Sequence, residues 1–198
     1  MRDLAVVLLA AGEGARLGQN TPKAFVQLLG QTILEHALAN IVGTEGLAHV
    51  SLVAHNDFHP EAEVLADRYS TAEINIVVVQ GGEVTRQDSV RNGLAYVPDD
   101  LDVVLVHDAA RALATPTLFQ RVAQAVRESG KGVIPVLPVV DTIKRAQAEL
   151  ITETVDRSDL RVAQTPQGFP IAAFKAAHAL AGAEYTDGRR WAAAKSAG

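Results

Sequence analysis

A Rossmann-like α/β domain, built on a doubly wound and mostly parallel sheet, is predicted by three features of this sequence. Five short apolar runs, at residues 4–9, 50–54, 74–79, 103–106 and 132–137, are continuous rather than alternating, as strands covered on both faces require. Helical patterns separate the runs. The resulting order of alternating strands and helices calls for right-handed crossovers and places ligands beyond the carboxyl ends of the strands.

The elements follow in order. Residues 4–9 read Leu-Ala-Val-Val-Leu-Leu and lead into a glycine-rich loop. Thr32 and Glu35 have the spacing of a capping box, after which Leu34, Ala37, Leu38 and Ile41 share one helical face. Thr115-Pro116 marks another helix start, with a capping hydroxyl and a proline whose missing N–H costs nothing there; Leu118, Val122 and Val126 follow on one face. The run at 132–137 is expected to close the sheet. Beyond it the rhythm breaks. Two short alternating segments flank a polar turn at residues 146–149, which predicts a β-hairpin arm protruding over residues 138–160. No internal repeat is present.

The chain has 198 residues, enough for one domain, and 48% are hydrophobic, enough for a core. With 5% aromatic residues that core must come from Ala, Val, Leu and Ile. A net charge of −5 argues against a surface for nucleic acid, which needs clustered Lys and Arg. Cysteine is absent, which excludes disulfides, thiolate metal sites and a cysteine nucleophile. The apolar run behind Asp3 is too short for a signal peptide's core or a membrane span, so a cytoplasmic protein without a membrane partner is expected.

Three loops should carry chemistry, each following a strand. The first runs Ala10-Ala11-Gly12-Glu13-Gly14-Ala15-Arg16-Leu17-Gly18 and ends in Thr21-Pro22-Lys23. Small residues let backbone N–H groups approach phosphate oxygens closely. The glycine spacing is one residue too long for the dinucleotide fingerprint, and no Gly-Lys-Ser/Thr follows for a Walker A loop. What distinguishes it is two cations, Arg16 and Lys23; a glycine-rich turn with solvated charges reads the same residues. The second loop holds Gly81, Gly82, Arg86, Asp88 and Ser89. Its glycines allow backbone contact with a flat base, and Ser89 offers a hydroxyl near a helix N-terminus; equally, Asp88 or Ser89 serves as an N-cap. The third loop, His107-Asp108-Ala109-Ala110-Arg111, puts a carboxylate at a strand end, where it suits Mg²⁺ or pairs with the arginine. His107 reads as a packing residue rather than a ligand, and His55 and His59 as loop residues.

Together these loops resemble the 2-C-methyl-D-erythritol 4-phosphate cytidylyltransferases of the non-mevalonate isoprenoid pathway, over residues 4 to about 187. The likeness rests on Ala10 to Gly18 with Pro22-Lys23, on Val106 to Arg111, on Pro138 to Lys144, on Thr154 to Arg157 and on Gln164 to Gln167. It implies transfer of a cytidylyl group from CTP to the sugar-alcohol phosphate by in-line attack, with release of pyrophosphate and no covalent nucleophile. By the same resemblance Arg16, Lys23 and Arg157 are catalytic. Ala10, Ala11, Gly12, Gly14, Gly82, Ser89 and Asp108 bind CTP, Asp108 holds Mg²⁺, and Arg111, Thr142, Arg157 and Thr165 surround the acceptor phosphate. Gly81 or Gly82 takes the base-contacting role, since the spacing to Arg86 exceeds the family's usual one. The arm implies a homodimer, with Thr142 and Arg157 entering the partner's site. The implied domain covers residues 1–187. Residues 188–198 form an atypical tail, lacking the family's final strand, helix and phosphate-contacting lysine, so acceptor binding is expected to suffer more than CTP binding. The rival readings are a related enzyme acting on ribitol 5-phosphate and a non-catalytic nucleotide-binding remnant.

Overall fold

The computed structural model describes residues 2–12, 21–82 and 85–180. In chain order its strands are β1 (Leu4–Leu9), β2 (Gln27–Leu28), β3 (Gln31–Thr32), β4 (Leu47–Ala54), β5 (Asn75–Gln80), β6 (Val103–Asp108), β7 (Val136–Pro138), β8 (Ile143–Gln147), β9 (Leu150–Val155), β10 (Arg161–Ala163) and β11 (Gln167–Pro170). The helices are α1 (Ile33–Val42), α2 (His59–Tyr69), α3 (Arg86–Leu94), α4 (Pro116–Ser129) and α5 (Ile171–Leu180). Five strands form the central sheet in the order β11-β6-β1-β4-β5. The pairings that join β6, β1, β4 and β5 are parallel, and β11 runs antiparallel to β6 at one edge.

Both faces of the sheet are covered, which explains the unbroken apolar runs. Leu4, Val6 and Leu8 of β1 pack with Leu34, Leu38 and Ile41 of α1, Leu65 of α2 and Phe119 and Val122 of α4. Ala5 and Val7 turn the other way, toward Val90 and Leu94 of α3 and Ile171 and Phe174 of α5. Each fully buried aliphatic side chain contributes about 1.5–3 kcal/mol, so β1 is anchored from both sides. Among the described residues no helix is long and apolar enough to cross a membrane.

The helix starts depart from expectation in detail. Thr32 caps α1 by accepting from the Glu35 N–H at 3.1 Å. The reciprocal half of the capping box is missing, because the Glu35 carboxylate accepts from Arg68 at 2.6 Å and Gln31 at 3.2 Å instead. Pro116 is the first residue of α4 as predicted, but the Thr115 hydroxyl makes no capping bond.

A larger correction concerns the fifth strand. The run at 132–137 does not join the central sheet as a strand; it touches β11 through one bridge, Val133 to Gly168. The fifth place belongs to β11, whose Gly and Pro make it unreadable as a strand. Position permits both: an edge strand has one side without a ladder, and Pro170 sits at its end. The apolar run instead supplies β7, which pairs with β10 at the base of the arm. From there β8 and β9 form the expected antiparallel hairpin, turning at Ala148 with φ 50° and carrying a register shift after Arg145.

Three buried histidines, His49, His107 and His178, each with a pKa lowered mainly by burial, make the fold acid-sensitive. His49 on β4 places Nε2 3.0 Å from Ser51 Oγ, and burial pushes its pKa down from 6.5 to about 4, with the positive charge of Lys175 acting in the same direction. His107 on β6 is likewise pushed down by burial to about 4. A histidine depressed in the folded state contributes stability that is full above its ordinary pKa and is lost as pH falls toward the folded value, because the unfolded chain binds the proton first. At about 1.4 kcal/mol per unit, His49 and His107 each contribute at most about 3 kcal/mol. The melting temperature should therefore fall as pH drops from 6.5 to 4.5. His49→Gln, which keeps a partner for Ser51, should flatten that decline in part in thermal scans across this range.

Candidate active site

The loops after β1, β5 and β6 meet because their strand ends are in register. Leu9 lies opposite Val53 on one side and Asp108 on the other. Backbone bonds then lace the exits together: Ala10 N–H donates to Val53 at 2.7 Å, Gly81 N–H to Ala54 at 2.8 Å and Ala109 N–H to Leu9 at 3.0 Å. Ala10 is buried, Ala11 half-buried and Gly12 exposed. A methyl group at Gly12 would meet nothing within 4 Å among the described residues.

At the second loop both glycines are sterically required. A Cβ on Gly81 would stand 2.5 Å from the Ala11 Cβ, and one on Gly82 would stand 2.3 Å from the Asp88 Cβ. Neither Asp88 nor Ser89 is the N-cap of α3. That role falls to Thr85, whose hydroxyl accepts from the Asp88 N–H at 3.1 Å, while the Asp88 carboxylate accepts from the Thr85 N–H at 3.1 Å. The Thr85 hydroxyl also bonds that carboxylate and, more than any other partner, holds it below the usual carboxylate range. Ser89 has a different role. Its buried Oγ accepts from the Gly82 N–H at 3.0 Å, so the serine shapes the glycine turn.

The third loop is a charged cluster. Arg86, at the start of α3, donates through Nε and NH2 to one oxygen of Asp108, at 3.0 and 2.9 Å. Arg111 Nε lies 3.6 Å from the other oxygen, and its NH1 donates to Gln164. Beneath them Thr165, 5% exposed, accepts from the Asp108 N–H at 3.4 Å and sits 2.9 Å from His107 Nδ1. His107 is buried edge-on against Phe119, in line with a packing role. His55 and His59 hold the start of α2, through Asp57 and the Ala54 carbonyl respectively.

Lys23 opens a 3₁₀ turn, Lys23–Phe25, whose Ala24 and Phe25 are buried. Phe25 stacks on Phe58 with centroids 4.6 Å apart, so the turn is rooted in the core. The half-buried Lys23 forms no ion pair among the described residues. Arg16 and Gly14 lie outside the described residues, as does the 188–198 tail. Within the chain Ala10 to Gly12, Gly82, Ser89, Asp108, Arg111 and Thr165 come together. Thr142 and Arg157 do not: they lie at the roots of the arm, where Arg157 donates to the Val140 carbonyl. Sequence reasoning gave no role to Arg86, or to Asn40, which reaches from α1 to the Ala112 carbonyl at 2.9 Å and pins the Arg111 loop. A signal for Arg86 did exist, since a cation at a helix N-terminus opposes the helix dipole.

A parallel α/β sheet whose carboxyl edge gathers a tightly packed glycine turn and an aspartate between two arginines is a nucleotide-binding layout. The two hydroxyl–imidazole pairs, Ser51–His49 and Thr165–His107, are buried and have no carboxylate bonded behind the ring among the described residues. The layout is that of a nucleotidyltransferase, which works by positioning and charge. The family model described as IspD, 2-C-methyl-D-erythritol 4-phosphate cytidylyltransferase, matches residues 4–196, and the chain belongs to that family.

Its relatives agree. It is 50% identical to a bifunctional IspD/IspF enzyme of Clavibacter michiganensis, across 93% of this chain and 45% of that one, so it spans less than half of that relative. A 2-C-methyl-D-erythritol 4-phosphate cytidylyltransferase of Rhodococcus jostii is 45% identical, across 90% of this chain and 76% of the relative. Among solved structures, the Thermus thermophilus cytidylyltransferase superposes with a TM-score of 0.73 at 35% identity, covering 98% of this chain and 84% of that one. The Anaerococcus prevotii 4-diphosphocytidyl-2C-methyl-D-erythritol synthase gives 0.78 at 25% identity, covering 96% and 80%.

The Ser89–Gly82 bond predicts a defined defect. Ser89→Ala leaves a backbone N–H without its partner, at a cost of about 1–3 kcal/mol. Chemical denaturation should register that loss, and CTP affinity by calorimetry should fall about tenfold as the turn loosens.

Proposed function

We propose that this chain transfers the cytidylyl group of CTP to 2-C-methyl-D-erythritol 4-phosphate. An oxygen of the acceptor phosphate attacks the α-phosphorus, the bond from that phosphorus to the β-phosphate's bridging oxygen breaks, and pyrophosphate leaves. The observation that carries the reading is the meeting of the glycine turn and the Asp108 cluster, which Arg86 joins at the carboxyl edge of the sheet, in a chain of this family. In this reading Ala10, Ala11, Gly12, Gly14, Gly82 and Ser89 bind CTP, and Arg16 and Lys23 stabilise charge as the bond to pyrophosphate breaks. Arg111 and Thr165 serve the acceptor side. Thr165 does so by holding the end of β6, because its hydroxyl is already engaged with His107 and the Asp108 N–H.

Mg²⁺ fits this donor set. It is commonly held by one or two carboxylates together with substrate phosphate oxygens, and Asp108 offers one partly exposed carboxylate at a strand end. Among the described residues no group of three or more His, Asp or Glu could cage an ion without a nucleotide. When bound, the ion would neutralise the triphosphate.

The arm supports a homodimer. Leu150 at 75% and Ile151 at 67% exposure stand on a hairpin with no core of its own, and an uncovered apolar surface of this kind is the mark of an interface. A partner's arm would bring Thr142 and Arg157 to the acceptor phosphate, which explains their distance from the cluster of their own chain.

Three measurements check these statements. Pyrophosphate release should appear with CTP and methylerythritol phosphate and not with ribitol 5-phosphate; release with neither acceptor would overturn the reading. Lys23→Ala should lower turnover by about 10²–10³-fold while CTP affinity changes only a few-fold, as expected of a donor acting on the transition state. Replacing residues 139–160 by a short glycine linker should convert a dimer to a monomer in sedimentation, whereas a dimer that survives would remove the arm from the interface.

A further inference from the structure

Arg86 is the first residue of α3, directly after the Thr85 cap. The partial positive charge of a helix N-terminus disfavours a cation there, so the stability of α3 does not account for it. Its guanidinium instead spans from the glycine turn to the end of β6. There Nε and NH2 both bond Oδ1 of Asp108, at 3.0 and 2.9 Å, and Arg111 faces Oδ2 at 3.6 Å. Asp108 thus stands between two guanidiniums from two different loops. The Arg86 and Asp108 side chains are 49% and 32% exposed, so the pair is open to solvent and can be exchanged at low cost.

We propose that Arg86 is a displaceable counter-ion of Asp108, so that the arginine and a divalent cation compete for Oδ1 and occupation by the cation releases the Arg86 charge to the nucleotide's phosphates. The inference rests on the cytidylyltransferase reading. It makes Arg86 a positioning residue that links the base-binding turn to the metal-binding carboxylate. The competition keeps metal affinity low until a triphosphate adds its own oxygens.

Weak Mn²⁺ binding at this single carboxylate, titrated to high metal concentration into the full chain without nucleotide and followed by electron paramagnetic resonance, tests this directly. Arg86→Gln should tighten Mn²⁺ binding by about two- to fivefold, the range for an exposed ion pair, and Arg86→Lys should stay near the parent. The gain should vanish in the double variant Arg86→Gln/Asp108→Asn, which locates it at this carboxylate. At saturating Mn²⁺, Arg86→Gln should bind CTP several-fold more weakly than the parent. Equal Mn²⁺ affinities of Arg86→Gln and parent, or a gain that persists in the double variant, would overturn the proposal while leaving the parent's CTP binding and turnover as they are. A parent that neither binds CTP with Mn²⁺ nor releases pyrophosphate would overturn the function reading as well.

Discussion

Leu4, Ala5, Val6, Val7 and Leu8 are all at 0% exposure, enclosed by helices on both faces of the sheet. A strand that is apolar on both sides carries no parity, so burial alone does not choose its register. The ends make that choice. At the amino end the Asp3 carbonyl accepts from the N–H groups of Asp102 and Val103, at 3.0 and 3.1 Å. Arg127 grips the Asp3 carboxylate through two bonds, at 2.8 and 2.7 Å, and holds it below the usual carboxylate range. At the other end the Ala10 and Ala109 N–H groups are satisfied across neighbouring strands. A slip of one residue would move Asp108 by about 3.3 Å, out of reach of Arg86 and away from the glycine turn. The site therefore depends on a register fixed partly by an ion pair at the opposite end of the strand.

Close approach then sets the chemistry. Gly81 packs against Ala11 and Gly82 against the first turn of α3, so the exits of β1 and β5 and the start of α3 are one packed unit. Ser89 closes that unit by satisfying a backbone N–H that would otherwise be left to the ligand. The cations are treated differently. Lys23 is held through buried neighbours and has no carboxylate to quench it among the described residues, whereas Arg86 and Arg111 are both engaged with Asp108. A cation without a carboxylate partner and a carboxylate between two cations are thus kept on separate elements.

The arm obeys other rules. Its strands are exposed on both sides, and its cross-strand pairs, Lys144 with Thr154 and Arg145 with Glu153, lie in solvent and stabilise little. The apolar side chains Leu150 and Ile151 of β9 are likewise exposed rather than packed on the core.

Composition and pattern determined the layered α/β class, the buried face of α1, the hairpin and the three loops with Lys23, Ser89, Asp108 and Arg111, because each depends on residues close together in the chain. The edge strand β11 was not legible. Gln-Gly-Phe-Pro lacks strand propensity, and only the open edge of β6 makes a strand of it. The cap of α3 was misassigned because Thr85, Asp88 and Ser89 are all good cap residues, and the choice among them turned on which side chain the Gly82 N–H requires. Arg86 and Asn40 were missed for a related reason: their partners, Asp108 and Ala112, lie 22 and 72 residues away along the chain. Local chemistry is written in neighbouring residues, while pairing across the sheet edge exists only once burial of β1 has brought the strand ends together.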